Sequence, residues 1–139
     1  MEPDGRVVTC EIDEAIATTA KRHWRHAGVA DKIELQLGPA LETRDMLAHR
    51  SCGRFDMAFI DADKENLLGY YDRCHALVRV GGLTLIDNTL WGGSVADDSD
   101  HDSSTDAIRA FNVFVHEDQR VEMVLVPIGD GLTLARKIA

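Results

Sequence analysis

Two short stretches hold the residues whose types and spacing could do chemistry together. In FDMAFIDADKEN, residues 55–66, they are Asp61 and Lys64; in IDNTLW, residues 86–91, they are Asp87 and Asn88. Asp61, Asp87 and Asn88 offer only oxygen ligands, which suit a hard divalent cation such as Mg2+ with waters completing its shell. Lys64 stands three residues beyond Asp61, at the expected start of a helix. A cation is disfavoured at that end of the helix dipole, so a proton-accepting role fits the position. Plainer readings stand beside these. Asp61 and Asp87 could cap the helices that follow them, and a lone lysine is ordinarily a solvated surface group.

Both stretches grow out of apolar runs. Met57-Ala58-Phe59-Ile60 leads into the first and Leu83-Thr84-Leu85-Ile86 into the second. Short continuous runs of this kind read as strands buried on both faces, as in a parallel sheet. Open α/β sheets hold their ligands outside the carboxyl ends of such strands. Another strand, residues 6–10, also runs into an acid, Glu11. A nucleoside-binding fold places there the acid that binds ribose hydroxyls. The glycine-rich turn that should precede such a strand is absent, Gly5 standing alone, and helix capping is the plainer role for Glu11.

The elements that must position these residues follow in order. Asp13 can cap a helix with Ile16, Ala20, Trp24 and Ala27 on one face and Gly28 as its stop. Residues 32–37 alternate as a strand with Ile33, Leu35 and Leu37 on the drier side, and Gly38-Pro39-Ala40 makes a tight turn. A helix is expected over residues 41–49. After strand 55–60, Leu67, Tyr71, Cys74 and Val78 recur at helical spacing until Gly81-Gly82, and strand 83–86 follows. Residues 92–105 form a polar loop too long for a simple connector, which suggests a lid or binding loop. A last helix over 106–116 turns Ile108, Phe111 and Val115 inward, and strands 120–126 and 132–138 pair antiparallel through Pro127-Ile128-Gly129-Asp130-Gly131. The pattern predicts an α/β fold: a doubly wound, mostly parallel sheet with an antiparallel C-terminal hairpin.

Composition excludes several classes. At 139 residues the chain reads as a single domain, and its 45% hydrophobic content is that of a globular protein. A net charge of -9 disfavours nucleic acid as the main partner, because neutralising phosphates needs a basic surface. No apolar run approaches membrane-spanning length, and residues 1–8 do not resemble a signal peptide, so a cytoplasmic setting is expected. Cys10, Cys52 and Cys74 are odd in number and widely spaced, consistent with thiols that pack in a reducing compartment. His23 and His26 flank Trp24 among arginines and have no third ligand nearby, so they read as a solvated helix face. The acidic run from Asp97 to Asp102 fails as an EF-hand, because Ser103 stands where Gly is needed and Arg109 where Glu is needed.

Taken together, FIDADKEN, IDNTLWGGSV, LGPALE, Glu11 and PIGDGLTLARK resemble one family across nearly the whole chain. The resemblance is to the S-adenosylmethionine-dependent, metal-requiring O-methyltransferases of the catechol and caffeoyl-coenzyme-A type, particularly bacterial members. It implies a class I methyltransferase sheet and a small hydroxylated aromatic acceptor. Asp61, Asp87 and Asn88 would bind the divalent metal, and Lys64 would take the proton of the attacking hydroxyl. Glu11, Gly38, Ala40 and Asp61 would contact S-adenosylmethionine, and Trp91 would wall the substrate pocket. Family members carry a helical region, a first strand and a glycine-rich cofactor loop before the strand at Arg6, so the resemblance implies an N-terminally truncated domain with that strand missing. In the implied strand order, 3-2-1-4-5-7-6, strands 6–10 and 55–60 would flank the missing one. Left in place they would stand about 9.6 Å apart with unpaired edges. Self-association into a homo-oligomer is the favoured way to fill that slot, direct pairing of the two strands the other.

Two rival readings remain. Haloacid-dehalogenase-like phosphatases share an Asp-x-Asp after a buried strand but want a hydroxyl residue where Glu65 stands. The other is an inactive fragment that only folds and self-associates.

Overall fold

The protein is described by a computed structural model over residues 4–42 and 53–139. It divides into two compact units, Met1–Met46 and Leu47–Ala139, each with its own sheet. The helix expected over 41–49 falls mostly outside the described residues, as does Cys52.

In the first unit, β1 (Val7–Glu11) and β2 (Ile33–Leu37) pair in parallel, with Glu11 opposite Leu37 at their carboxyl ends. The helix α1 (Glu14–His26) connects them. Its cap is the one the sequence suggests: Asp13 Oδ1 accepts from the amides of Ala15 and Ile16 at 2.7 and 3.1 Å. Gly28 ends the helix with φ +67°, a conformation open to glycine at little cost. The inward face follows expectation only in part, with Ala20 and Trp24 half-buried but Ala27 exposed. Ala17 is the buried residue, while Ile16 is 55% exposed.

The second unit holds β3 (Phe55–Ile60), α2 (Leu67–Leu77), β4 (Val78–Asp87), α3 (Ser103–Glu117), β5 (Val121–Val126) and β6 (Leu132–Lys137). Its sheet order is β3-β4-β6-β5, with β3 and β4 parallel and β6 antiparallel to both of its neighbours. The expected hairpin is therefore present, and the order inside each sheet follows the expected one. Strands β1 and β3 belong to different sheets.

Two boundaries move. The helix before β4 stops at Leu77, and the strand begins at Val78 and runs through Gly81-Gly82 instead of starting after them. The glycines serve a bulge: pairing jumps from Phe55–Val78 to Met57–Leu83, and Gly81 takes φ +80°. A Cβ on Gly82 would lie 2.5 Å from Val78 Cγ1 and 2.7 Å from the Asp56 carbonyl oxygen, so only glycine fits there. The last helix starts three residues early, at Ser103, because Asp102 caps it through the Ser104 amide.

Ile60, Ile86 and Ala135 from the sheet pack with Leu67 and Tyr71 of α2 and with Ile108, Phe111 and Val115 of α3 to form the core. The rings of Tyr71 and Phe111 meet edge to face at 5.6 Å. Tyr71 also donates through its hydroxyl to Asp118 at 2.9 Å, and the Arg120 guanidinium grips the same carboxylate. That grip holds Asp118 well below the usual carboxylate range, while burial and the Asp118 charge push Tyr71 up. The opposite face of this sheet carries an aligned apolar row, Phe59-Leu85-Leu134-Val124. Its ends, Phe59 and Val124, are 57% and 54% exposed. Among the described residues, no helix is long and apolar enough to cross a membrane.

Candidate active site

Because β3 and β4 are parallel neighbours with Ile60 opposite Ile86, Asp61 and Asp87 emerge from adjacent strand ends. Lys64 joins them. Its side chain is only 6% exposed, so the solvated-lysine reading fails. The ammonium donates to Asn88 Oδ1 at 3.0 Å and to the Asp87 carbonyl at 3.4 Å, and lies 3.6 Å from Asp61 Oδ1. It also sits 5.7 Å from the centre of the Trp91 ring, within cation–π range. A buried cation is tolerable only when paired and hydrogen-bonded in this way.

Lys64 is not in a helix, contrary to expectation. It lies in a turn whose carbonyl accepts from the amide of Leu67, the first residue of α2. The oxygens around it, not a helix dipole, set its surroundings. The capping alternative for the two acids also falls away: Asn66 precedes α2, Asp102 caps α3, and Asp87 Oδ1 accepts from the next amide, Asn88, at 2.8 Å. Asp63 is engaged elsewhere, accepting from Tyr70 Oη and from Asn66 Nδ2, which lower its pKa from the usual value.

The backbone after Asp87 takes a costly path. Asn88 and Trp91 adopt φ +63° and +51°, the left-handed region, as do Gly92 and Gly93. Each non-glycine residue there costs on the order of 1–2 kcal/mol and must be held by its surroundings. The β5–β6 turn supplies part of the hold: the Thr89 amide donates to the Gly131 carbonyl at 3.1 Å and the Leu90 amide to the Asp130 carbonyl at 2.9 Å. Thr133 Oγ1 donates to Thr89 Oγ1 at 3.0 Å, both residues being fully buried, and Asn112 Nδ2 donates to the Thr89 carbonyl at 2.9 Å. Sequence reading missed Thr89, Asn112, Asp130 and Thr133. The available signal was a threonine two residues past the strand-end Asp87, another between two leucines and an Asp between two glycines, but nothing local says they meet.

The first unit gathers Glu11 and Gly38 at its own strand ends, where the Gly38 amide donates to the Glu11 carbonyl at 2.9 Å. Glu11 Oε1 accepts from the Asp13 amide at 2.8 Å. Gly38 has φ +132°, with nothing within 4 Å of where a Cβ would stand. Ala40, two residues on, is half-buried.

A family model described as O-methyltransferase matches residues 1–138. The chain belongs to the O-methyltransferase family. Among its relatives, catechol O-methyltransferase domain-containing protein 1 of Mus musculus is 43% identical over 135 residues, which cover 96% of this chain and 52% of that protein. Caffeoyl-CoA O-methyltransferase of Mesembryanthemum crystallinum is 39% identical, covering 98% of this chain and 57% of that protein. The crystal structure of the O-methyltransferase TomG from Streptomyces achromogenes in complex with SAM superposes with a TM-score of 0.91 at 30% identity, covering all of this chain and 65% of that one. The fold is thus the class I methyltransferase fold. The chain spans only a little over half the length of these two curated relatives.

As a member of the O-methyltransferase family, the chain has residues that fit the groups the family implies. Asp61 Oδ1 and Asn88 Oδ1 already converge on one cation, the Lys64 ammonium, and the set of donors is all oxygen. Among the described residues no three His, Cys, Asp or Glu side chains gather as a metal site, so an ion here would depend on the Asn88 amide oxygen beside the two aspartates. The open side of Gly38 leaves a cofactor room to approach the backbone.

Proposed function

We propose that the chain acts as an S-adenosylmethionine-dependent O-methyltransferase on a catechol-like acceptor, with assistance from a divalent cation such as Mg2+. The observation that carries this reading is the buried Lys64 ammonium meeting Asp61 and Asn88 at the ends of two adjacent parallel strands. Asp61, Asp87 and Asn88 would hold the ion, whose chemistry is to draw two vicinal hydroxyls together and make one more acidic. Lys64 Nζ, when neutral, would take the hydroxyl proton, and the oxygen would displace the methyl group from the sulfonium in line. The new carbon–oxygen bond forms as the methyl–sulfur bond breaks, and that bond's electron pair stays on sulfur, which becomes a neutral thioether, so charge and atoms balance. Trp91 would wall the acceptor. Glu11 would bind the cofactor ribose, with Gly38 and Ala40 beside the adenine and Asp61 completing the cofactor contacts.

The family relation, with relatives named for catechol and caffeoyl-CoA methylation, supports the class of acceptor. The net charge of -9 supports a small-molecule partner over nucleic acid. A cytoplasmic, membrane-free, homo-oligomeric protein of one domain over residues 1–139 completes the proposal. Light scattering on the chain checks the oligomer.

The deciding experiment mixes the chain with methyl-labelled S-adenosylmethionine and 3,4-dihydroxybenzoate, with Mg2+ or with a chelator. Label in the acceptor that depends on Mg2+ supports the reading. No label, with no heat on titrating S-adenosylmethionine, overturns it in favour of a folded, inactive domain.

A further inference from the structure

We infer that Arg109 and Asp130 are positioning residues. From outside the strand-end cluster they fix the path of residues 88–100, so that Trp91 stands over the Lys64 ammonium. The consequence for catalysis rests on the proposed methyltransferase reading; the positioning itself does not.

The sequence suggests a lid or binding loop over 92–105. The structure shows residues 94–100 braced by hydrogen bonds, with α3 beginning at Ser103. All five N–H donors of the Arg109 guanidinium are spent on this segment and its border: Nε donates to the Val95 carbonyl at 3.2 Å, Nη2 to the carbonyls of Ser94 and Asp97, and Nη1 to the Asp100 carbonyl and to Asp106 Oδ1. The side chain is 24% exposed. An arginine on a helix ordinarily turns its donors to water; this one binds four backbone carbonyls spread over seven residues of a single segment. A lysine would keep the charge, yet its three donors radiate from one atom and cannot span that set.

Asp130 acts on the residues next to Trp91. Its Oδ1 accepts from the Gly92 amide, in the middle of the left-handed run from Trp91 to Gly93. The next residue, Gly131, packs so closely that a Cβ would stand 2.6 Å from Leu90 Cγ and 2.8 Å from the Leu90 amide nitrogen. The β5–β6 turn thus bonds Leu90 and Gly92, the chain neighbours of Trp91, and Arg109 of α3 bonds the carbonyls of residues 94, 95, 97 and 100 that follow. Strained residues at a candidate site need such constraint from outside, because the local chain would relax to right-handed or extended backbone.

The test needs no turnover. In a Trp24→Phe background Trp91 is the only tryptophan and reports its own surroundings. Arg109→Gln, Arg109→Lys and Asp130→Ala should each raise acrylamide quenching of Trp91 at least twofold. They should also speed hydrogen exchange of the Leu90 and Gly92 amides at least tenfold, with the α2 amides unchanged. Asp130→Asn, which keeps an acceptor oxygen, should stay near the parent. Parent-like quenching and exchange in folded Arg109→Lys and Asp130→Ala would overturn the inference. Should a variant not fold, the parent decides: a Gly92 amide exchanging as fast as in an unstructured peptide overturns it equally. A chain that transfers no methyl group fails the proposed function and leaves these readouts standing.

Discussion

The two units each bring a strand-end acid forward, and they hold it by different means. At the end of β1, Glu11 is engaged by the amide of Asp13, two residues away, and Asp13 in turn caps the helix that follows. At the ends of β3 and β4, Lys64 meets Asn88 across 24 residues, and Thr89 meets Thr133 across 44. The first region is organised by its own next few residues. The second exists only when strands, a helix and a hairpin turn are all in place. Chemistry that needs a buried charge can be built only in the second way, because burying an ammonium requires partners from several elements at once.

The comparison is broken most severely at Lys64. In a longer version of the chain shown to be active, Lys64→Ala should lower kcat by about 10²–10⁴ while S-adenosylmethionine affinity stays near the parent value, since a proton acceptor acts in the transition state. Calorimetric affinity falling in step with turnover would make the lysine a binding residue instead. Glu11→Gln should give the opposite split, weakening cofactor affinity more than kcat.

Acid sharpens the contrast next. Arg120 holds the folded Asp118 carboxyl below its usual range. The stability this pair contributes is fully present above the unfolded value of about 3.9 and is lost as pH falls below it toward the folded value. Urea midpoints measured at pH 6 and pH 3 should therefore fall steeply in the parent and less in Asp118→Asn, which starts lower. Equal falls in both would remove Asp118 as the cause.

Smaller changes probe the bracing and the cap. Thr133→Val leaves the buried Thr89 hydroxyl without its donor and should cost about 1–3 kcal/mol in urea unfolding. Asp13→Ala removes two cap bonds from α1 and should cost about 1 kcal/mol, with amide exchange quickening in the first turn of α1 and not around Asn88. Quickened exchange around Asn88 in Asp13→Ala would show that the first region is not local after all.

Local patterns carried much of the fold. Asp13 before an apolar-periodic run specifies a helix start, Ile108, Phe111 and Val115 specify an inward stripe, and the turn at 127–131 specifies a hairpin, because each depends on neighbours within a few residues. The glycine pair at 81–82 was misleading for the same reason. Read locally it stops a helix, and only the packing of Asp56 and Val78 around Gly82 makes it a bulge within β4.

The sequence by itself determined the chemical types at the candidate site: oxygen donors at Asp61, Asp87 and Asn88 and an amine at Lys64, each just past an apolar run. Tertiary structure alone decided that Lys64 is buried and ringed by acceptors, that Asp63 turns away to Tyr70, that Asp130 accepts from the Gly92 amide, and that Arg109 binds the carbonyls of Ser94, Val95, Asp97 and Asp100. Residue type and alternation are local quantities. Which donors meet which acceptors depends on the register of β3 on β4 and of β4 on β6, and that register is set by burying one whole face of the sheet beneath α2 and α3.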